Sequence, residues 1–406
     1  MAESGRRLHS WLHVPDPPSW HDQPCYSPPM AYALSCAYDL LRHAEEQPDP
    51  YFATFVVLAP FRKLAVCDRQ RLNLEFALAM AFAGDDSAPQ ALSCLSSAWD
   101  IAQHLHDWGA QAEIGFLAGA LWQAQGLLRE AYAVYHDALK ALQRLECMDG
   151  PADPAFELDL VLCLGWCAFD LGWFPVALRH MDEAYTLRAV WAPDAAEQAA
   201  SLAWLDAQLA RVRGQPARAL SLAAAAADLL RTHGRPINLG RVQVVLAETA
   251  LDALEMVHTP AASRDLWLPP SGAMSKAQLS PAALVTQARE AARLGLETAQ
   301  EAGDSIGVML ARLALRRTMR LLRRQSGEDS GVAAAERLLR TAQRLDSPLL
   351  VSRTEVLLAD ELLAAGRSEA ARITYYRATL RFEELHMGGL AFWPRRALQL
   401  LADKGS

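Results

Sequence analysis

Apolar residues recur at helical spacing along most of the chain, and the stretches that carry this pattern come in pairs. Within the pairs, a glycine marks a short turn at Gly84, Gly126, Gly172, Gly214 and Gly366. Longer breaks separate one pair from the next at intervals of about 42 residues, as at Gly109, Gly150, Pro193 and Gly234. A helical hairpin cannot bury its apolar face alone, so successive hairpins must stack on one another. The pattern therefore predicts an all-α solenoid.

The spacing predicts about eight antiparallel hairpins and one capping helix. The hairpins are expected at 28–67, 69–105, 110–147, 154–190, 194–232, 239–302, 304–345 and 348–386, with the cap at 392–402. This organisation gives a Pro- and Trp-rich tail at 1–29, hairpins at 30–257, an inserted loop at 258–280, and hairpins with the cap at 281–402. The chain is thus expected to form one repeat array rather than several unrelated domains.

The residues around the turn glycines resemble the tetratricopeptide repeat (TPR). Gly119, Trp122, Gly126, Ala131 and Tyr135 stand at the consensus spacing, and similar spacings recur at 164–184, 214–219 and 366–378. The resemblance implies a right-handed superhelical solenoid. The period of about 42 residues exceeds the usual 34, and in this respect the chain is similar to the TPR-like sensor regions of bacterial maltose-activator-type regulators.

The TPR resemblance also implies a binding surface, because the first helix of each hairpin in that family lines a concave groove for a peptide or helix of a partner. The positions that would face the groove are Glu113, Gln123, Asp159, Trp166, Asp170, Trp204, Gln208, Arg211, Arg241, Glu248, Arg353 and Asp360. We expect the charged members to be exposed. Trp166 and Trp204 fit either a groove anchor or the core between hairpins, since helical spacing does not separate the two.

A helix near residue 320 is rich in arginine. The residues that share or flank one of its faces are Arg312, Arg316, Arg317, Arg320, Arg323 and Arg324. This basic face suits docking of an acidic protein, a phosphate or a nucleic acid. The alternative, which we favour, is a solvated face paired with acidic residues of adjacent hairpins. No aromatic residues are interleaved for base stacking, so nucleic acid is the weaker of the docking options.

The inserted loop carries Trp267 between two leucines. A loop of this length inside a compact array is usually functional or disordered. Trp267 is therefore expected either to pack over the groove or mark a partner site, or to lie in a mobile crest.

Composition narrows the function classes. With 52% apolar and 21% charged residues the chain can build a core, and its net charge of −8 disfavours a dedicated polyanion binder. Seven scattered cysteines and the lack of a signal-like or membrane-spanning apolar run favour a cytoplasmic protein. Cys163 and Cys167 are four residues apart, but no second ligand pair stands nearby, so no metal site is predicted. No cofactor is predicted either.

Signatures of common enzymes are missing from the sequence, including the phosphate loop, the dinucleotide fingerprint, the nucleophile elbow and the zinc-protease motif. The sequence therefore predicts a non-catalytic scaffold that binds a partner peptide or helix. Two alternatives stay open: a small-ligand or peptide sensor module, and a nucleic-acid accessory protein that uses the arginine-rich helix.

Overall fold

The computed structural model describes residues 26–43, 49–85, 87–149, 154–191, 196–213, 215–233, 236–258, 280–323, 331–345, 347–385 and 387–403. Regular structure in these ranges consists of seventeen α-helices and one short 3-10 helix, without any strand. The predicted all-α fold is thus confirmed. Trp267, Arg324 and most of the predicted tail and inserted loop lie outside the described residues.

The helices follow one another as predicted hairpins. In chain order they are α1 (Pro28–Arg42), α2 (Pro50–Leu58), α3 (Asp68–Gly84), α4 (Ala88–His104), α5 (Trp108–Ala124), α6 (Leu128–Asp149), α7 (Pro154–Asp170), α8 (Phe174–Trp191), α9 (Ala196–Val212), α10 (Pro216–His233), α11 (Pro236–His258), α12 (Pro281–Glu301), α13 (Ser305–Arg323), α14 (Val332–Arg344), α15 (Pro348–Ala364), α16 (Ser368–Glu384) and α17 (Gly388–Asp403). The odd-numbered helices from α1 to α15 are the first helices of eight hairpins, and α17 is the cap. None of the described helices combines the length and the apolar character needed to cross a membrane.

The chain divides into two compact units, residues 1–164 and 165–406. The first unit has a continuous apolar core that runs from α1 to α5. In the second unit, one apolar cluster joins α9 to α13 and another joins α13 to α17. This succession of shared cores is the packing that stacked hairpins require.

The short turns within hairpins depend on glycine. Gly126, Gly172 and Gly366 have φ angles of 78°, 78° and 75°, a left-handed conformation that other residues adopt at a cost. After Gly126, the backbone N–H of Leu127 donates to the carbonyl oxygen of Trp122 at 2.9 Å. The corresponding bond follows Gly172 and Gly366. The three first helices that precede these glycines therefore end in a Schellman motif. The same local chemistry therefore reverses the chain in widely separated repeats.

Other glycines serve close helix packing. Gly84 is the last residue of α3, and a Cβ atom there would lie 2.0 Å from the ring of Tyr51. A Cβ atom on Gly119 would lie 2.6 Å from the ring of Tyr135, a side chain that is fully buried. The helices α5 and α6 can pack this closely only because Gly119 has no side chain.

We expect Gly119→Ala to destabilise the protein, because the buried ring of Tyr135 has no room to move. The overpacking should cost about 1–3 kcal/mol, which exceeds the helix propensity of up to about 1 kcal/mol gained by alanine. Thermal unfolding followed by circular dichroism would show a lower midpoint.

The matched control is Gly109→Ala in the same helix, where the nearest atoms to a new Cβ are at 3.6 Å or more. This variant should melt at or slightly above the wild-type temperature. Equal melting of the two variants would contradict the packing role of Gly119.

Candidate functional site

In the second unit the first helices of successive hairpins contact one another, α9 with α11, α11 with α13, and α13 with α15. We call the side on which they meet the inner side. Five charged side chains from these four helices come together there, and we call them the charge cluster. Its members are Arg211, Glu248, Asp252, Arg317 and Arg353.

Arg211 lies at the centre of the charge cluster and has only 6% of its side chain exposed. Its Nη1 is 3.0 Å from Oε2 of Glu248, and its Nη2 is 2.8 Å from Oδ2 of Asp252. Nη1 also donates to Oε1 of Gln208 at 2.7 Å. The expectation that Arg211 is exposed is therefore wrong, because these three side chains enclose it. The guanidinium group of Arg211 also lies 5.4 Å from the ring of Trp393.

Mutual attraction keeps the central groups ionised although they are buried. Burial opposes charge on Arg211, but the carboxylates of Asp252 and Glu248 more than offset it and raise the arginine pKa. Burial likewise opposes charge on the two carboxylates, yet the neighbouring arginines hold the pKa of each below its ordinary value. The charge cluster is thus a set of mutually neutralising ions rather than neutral polar groups.

Two further arginines attach to the same carboxylates. Nη2 of Arg317 donates to Oδ1 of Asp252 at 2.6 Å. Nη1 of Arg353 is 3.6 Å from Oε1 of Glu248, an ion pair without a hydrogen bond, and 22% of the Arg353 side chain is exposed. Arg353 is therefore held less tightly than Arg211 or Arg317.

Asp170 is the last residue of α7. Its carboxyl is attracted electrostatically to Arg353 but forms no hydrogen bond with another described residue. Burial raises the pKa of its carboxyl to about 7, against an attraction to Arg353 that lowers it. Near neutral pH this carboxyl is consequently divided between its protonated and ionised forms.

Two tryptophans on first helices pack against each other. Trp166 and Trp204 meet edge to face with ring centroids 5.1 Å apart, and Nε1 of Trp166 donates to Oγ of Ser201 at 3.1 Å. Nε1 of Trp204 is buried and has no hydrogen-bond partner among the described residues. Both indoles lie on first helices, and each is half-buried with its ring against the other.

The C-terminal cap also reaches the inner side. Phe392 of α17 lies 6.3 Å from Phe174 of α8, and its neighbour Trp393 covers Arg211. The rings of Phe392 and Trp393 are themselves 5.1 Å apart. The cap therefore supplies an aromatic wall in addition to covering the last hairpin.

The arginine-rich helix α13 is a first helix, and most of its described arginines point to neighbours rather than to water. Nε of Arg316 is 3.4 Å from Oε1 of Glu361, and Nη1 of Arg320 is 2.5 Å from Oδ2 of Asp360. The predicted pairing with acidic residues of an adjacent hairpin is found for these two side chains. The expectation that they are solvated is wrong, because both are largely buried against the carboxylates of α15. Arg312 is exposed, whereas the side chain of Arg323 is not described.

The other predicted residues are distributed over both units. In the second, Nε of Arg241 donates to Oδ2 of the buried Asp304 at 3.0 Å. In the first, Oε1 of Gln123 accepts from the hydroxyl of Tyr135 at 3.2 Å, and Asp159 of α7 is half-buried. Arg241 and Gln123 are thus each bound by a side chain of their own unit.

Glu113 of α5, in the first unit, combines solvent access with an altered pKa. Its side chain is reached by solvent, but the protein around it, followed by the carboxylate of Asp107, raises its pKa to about 7. Within the described ranges, no three His, Cys, Asp or Glu side chains are grouped as they would be around a metal ion.

Sequence reasoning missed two members of this site. Asp252 stands one helical turn after Glu248, so helical spacing from that residue could have found it. Trp393 lies in the predicted cap, and no local pattern indicates that it reaches Arg211. The structure also joins two surfaces that the sequence treats as separate, since Arg317 of the basic face shares Asp252 with Arg211 of the groove set.

Comparison with known proteins finds solved structures of similar fold. No family model and no curated protein sequence matches the chain. The apo quorum sensor NprR from B. thuringiensis is structurally similar, with a TM-score of 0.60, 13% identity and 87% of both chains covered. Aspartyl phosphate phosphatase F from Bacillus subtilis has a TM-score of 0.58 at 12% identity, covering 86% of this chain and 83% of its own.

A third similar structure is a Rap protein complexed with competence and sporulation factor, with a TM-score of 0.52 at 14% identity, covering 92% of this chain and 86% of its own. At these identities the likeness concerns the fold. The fold indicated by the glycine pattern is confirmed: the chain has a TPR-like helical-repeat fold.

The raised pKa of Asp170 predicts a pH-dependent stability. The folded protein holds this proton up to about pH 7, whereas the ordinary value is 3.8. Between these values the unfolded chain binds fewer protons, so stability falls as pH rises. Asp170→Asn abolishes the titration, and we expect its stability relative to wild type to be greater at pH 8 than at pH 5 by about 2–3 kcal/mol, because most of that pH interval lies below the folded pKa.

Thermal unfolding at the two pH values would measure this difference. Asp228→Asn serves as the control, because this carboxylate is exposed and pairs only with Arg231 of its own helix. A stability gain of Asp170→Asn that is the same at both pH values would rule out the buried titration.

Proposed function

We propose that this protein is a regulator that binds a short peptide on the inner side of its second unit, and that it acts by binding rather than by catalysis. The observation that carries the proposal is the charge cluster, in which ionised groups from four first helices meet beside aromatic rings. A peptide offers backbone donors and acceptors, two terminal charges and apolar side chains. The inner side offers a partner for each of these groups.

Residual exposure supports access to the charge cluster. Arg211 is enclosed, but Arg317 keeps 20% of its side chain exposed and Arg353 keeps 22%. The outer members of the cluster can therefore exchange an internal contact for one to a ligand, while the central ion pairs hold the helices in place.

The similar structures support the same class of ligand. One is by its name a quorum sensor, and another is a Rap protein complexed with competence and sporulation factor. A regulator that responds to a peptide would have the peptide groove of the predicted scaffold and the signalling role of the predicted sensor module. Nucleic-acid binding through α13 is less well supported, since Arg316, Arg317 and Arg320 are already paired with carboxylates.

We expect the protein to retain members of a mixture of short synthetic peptides in ultrafiltration, with mass spectrometry identifying those retained. The retained peptides should raise the unfolding temperature in a saturable manner. Arg317→Gln should weaken retention about tenfold or more, because it removes a partly exposed donor of charge-assisted hydrogen bonds.

Arg340→Gln is the matched control, an exposed arginine on α14, a second helix. It should retain peptides as wild type does. No retained peptide from a broad mixture, or equal weakening in both variants, would argue against the inner side as a peptide site.

A further inference from the structure

The first hairpin leaves an apolar surface at the N-terminal end of the first unit. Its second helix, α2, reads PYFATFVVL and carries no charged residue. Phe52 and Val56 share one face of this helix and are 61% and 52% exposed, and Phe55 beside them is also exposed. The terminal repeats of a solenoid ordinarily present a polar outer face, which keeps the array in solution. The exposed face of α2 is apolar instead.

Two more exposed apolar side chains stand on the link between α2 and α3. Leu64 is 61% and Val66 is 82% exposed. The backbone of Val66 is nevertheless held in place, because its N–H donates to Oε1 of the buried Gln70 at 2.8 Å. The ring of Phe55 is held as well, 5.6 Å from the ring of Phe82 of α3. The exposure of these side chains therefore belongs to the folded structure. We call the following residues the end patch: Phe52, Phe55, Val56, Leu64 and Val66.

The N-terminal segment enters the described structure next to this link. The first described residue is Tyr26, which is buried. Its hydroxyl donates to the carbonyl oxygen of Arg69 at 3.3 Å and accepts from the side-chain amide of Asn73. Arg69 follows Val66 by only three residues. Residues 1–25 therefore join the fold at the first turn of α3, beside the link between α2 and α3.

We infer that residues 1–25, which lie outside the described residues, bind over the end patch and cap this end of the first unit, with Trp11 and Trp20 as apolar anchors. Trp20 stands six residues before Tyr26, and six extended residues reach about 20 Å, whereas α2 is about 14 Å long. A segment tethered this closely has an effective concentration in the millimolar range, so it occupies the end patch ahead of a second copy or another protein. The inference concerns the first unit and is independent of the peptide site proposed above.

Cleavage by chymotrypsin, which cuts after aromatic residues, tests the capping in the full-length protein. The rate of cleavage after Trp11 and Trp20, followed by mass spectrometry, reports how often residues 1–25 leave the surface, because the protease acts on the open form. Phe52→Ser combined with Val56→Ser removes part of the end patch and leaves the core intact, since both side chains are mostly exposed. Cleavage at the two tryptophans should become about tenfold faster, the change expected from the loss of two apolar contacts.

The matched control is Ile373→Ser combined with Tyr376→Ser, a similarly exposed apolar pair on α16 of the second unit. It should leave the rate of cleavage after Trp11 and Trp20 as it is in wild type.

The reverse experiment removes the anchors instead of the surface. Trp11→Ser combined with Trp20→Ser should raise the fluorescence of 8-anilinonaphthalene-1-sulfonate, a dye that binds exposed apolar surface, because the end patch is then open. Adding Phe52→Ser and Val56→Ser to this variant should bring the fluorescence back towards the wild-type level, since the dye then loses its site.

Three outcomes would overturn the inference. The first is equal cleavage after the two tryptophans in wild type, the end-patch variant and the control. The second is unchanged dye fluorescence when both tryptophans are replaced. The third is a dimer in light scattering that the end-patch variant abolishes while its cleavage rate stays that of wild type, which would assign the end patch to a second copy of the chain.

Discussion

A guanidinium almost completely withdrawn from water must be neutralised by carboxylates, and Arg211 imposes this requirement on the second unit. Leaving such a group without a partner would cost several kcal/mol, so its position determines where Glu248 and Asp252 must lie. Those carboxylates in turn fix Arg317 and Arg353. One buried charge thus sets the register of four first helices relative to one another.

The same constraint explains why a binding surface is expected on the inner side. Ions that neutralise one another across helices are weak evidence for stability, since apolar residues of similar volume can often replace them, but they do supply directional contacts between the helices. At the edge of the charge cluster, Arg317 and Arg353 remain partly exposed. From the cap, the ring of Trp393 lies over the guanidinium group of Arg211, and the ring of Phe392 lies against that of Trp393.

The fold could be predicted from the sequence because the turns depend on local chemistry. A left-handed glycine marks the end of a helix, which is the first helix of a hairpin at Gly126, Gly172 and Gly366, and helix spacing then gives the paired partner. The long pair formed by α11 and α12 was likewise recognisable, although a 22-residue stretch separates the two helices. Such features need no knowledge of the tertiary structure.

The site could be predicted only in part, because helical spacing identifies a face of a helix but not the neighbour that covers it. The spacing placed Arg211 and Glu248 on first helices, yet it could not show that Arg211 is buried by Asp252 and Trp393. It also separated Arg317 from Arg211, since the two residues are 106 positions apart in sequence. Charges that meet through tertiary packing leave no local signature.

Amide hydrogen exchange with and without a retained peptide tests the central claim, that the first helices of the second unit form the ligand site. The account predicts slower exchange in α11, α13 and α15 when the peptide is bound, because these helices carry Glu248, Asp252, Arg317 and Arg353. The second helices α10 and α14 should change little. Slowing confined to those second helices, or to residues 26–149, would contradict the account.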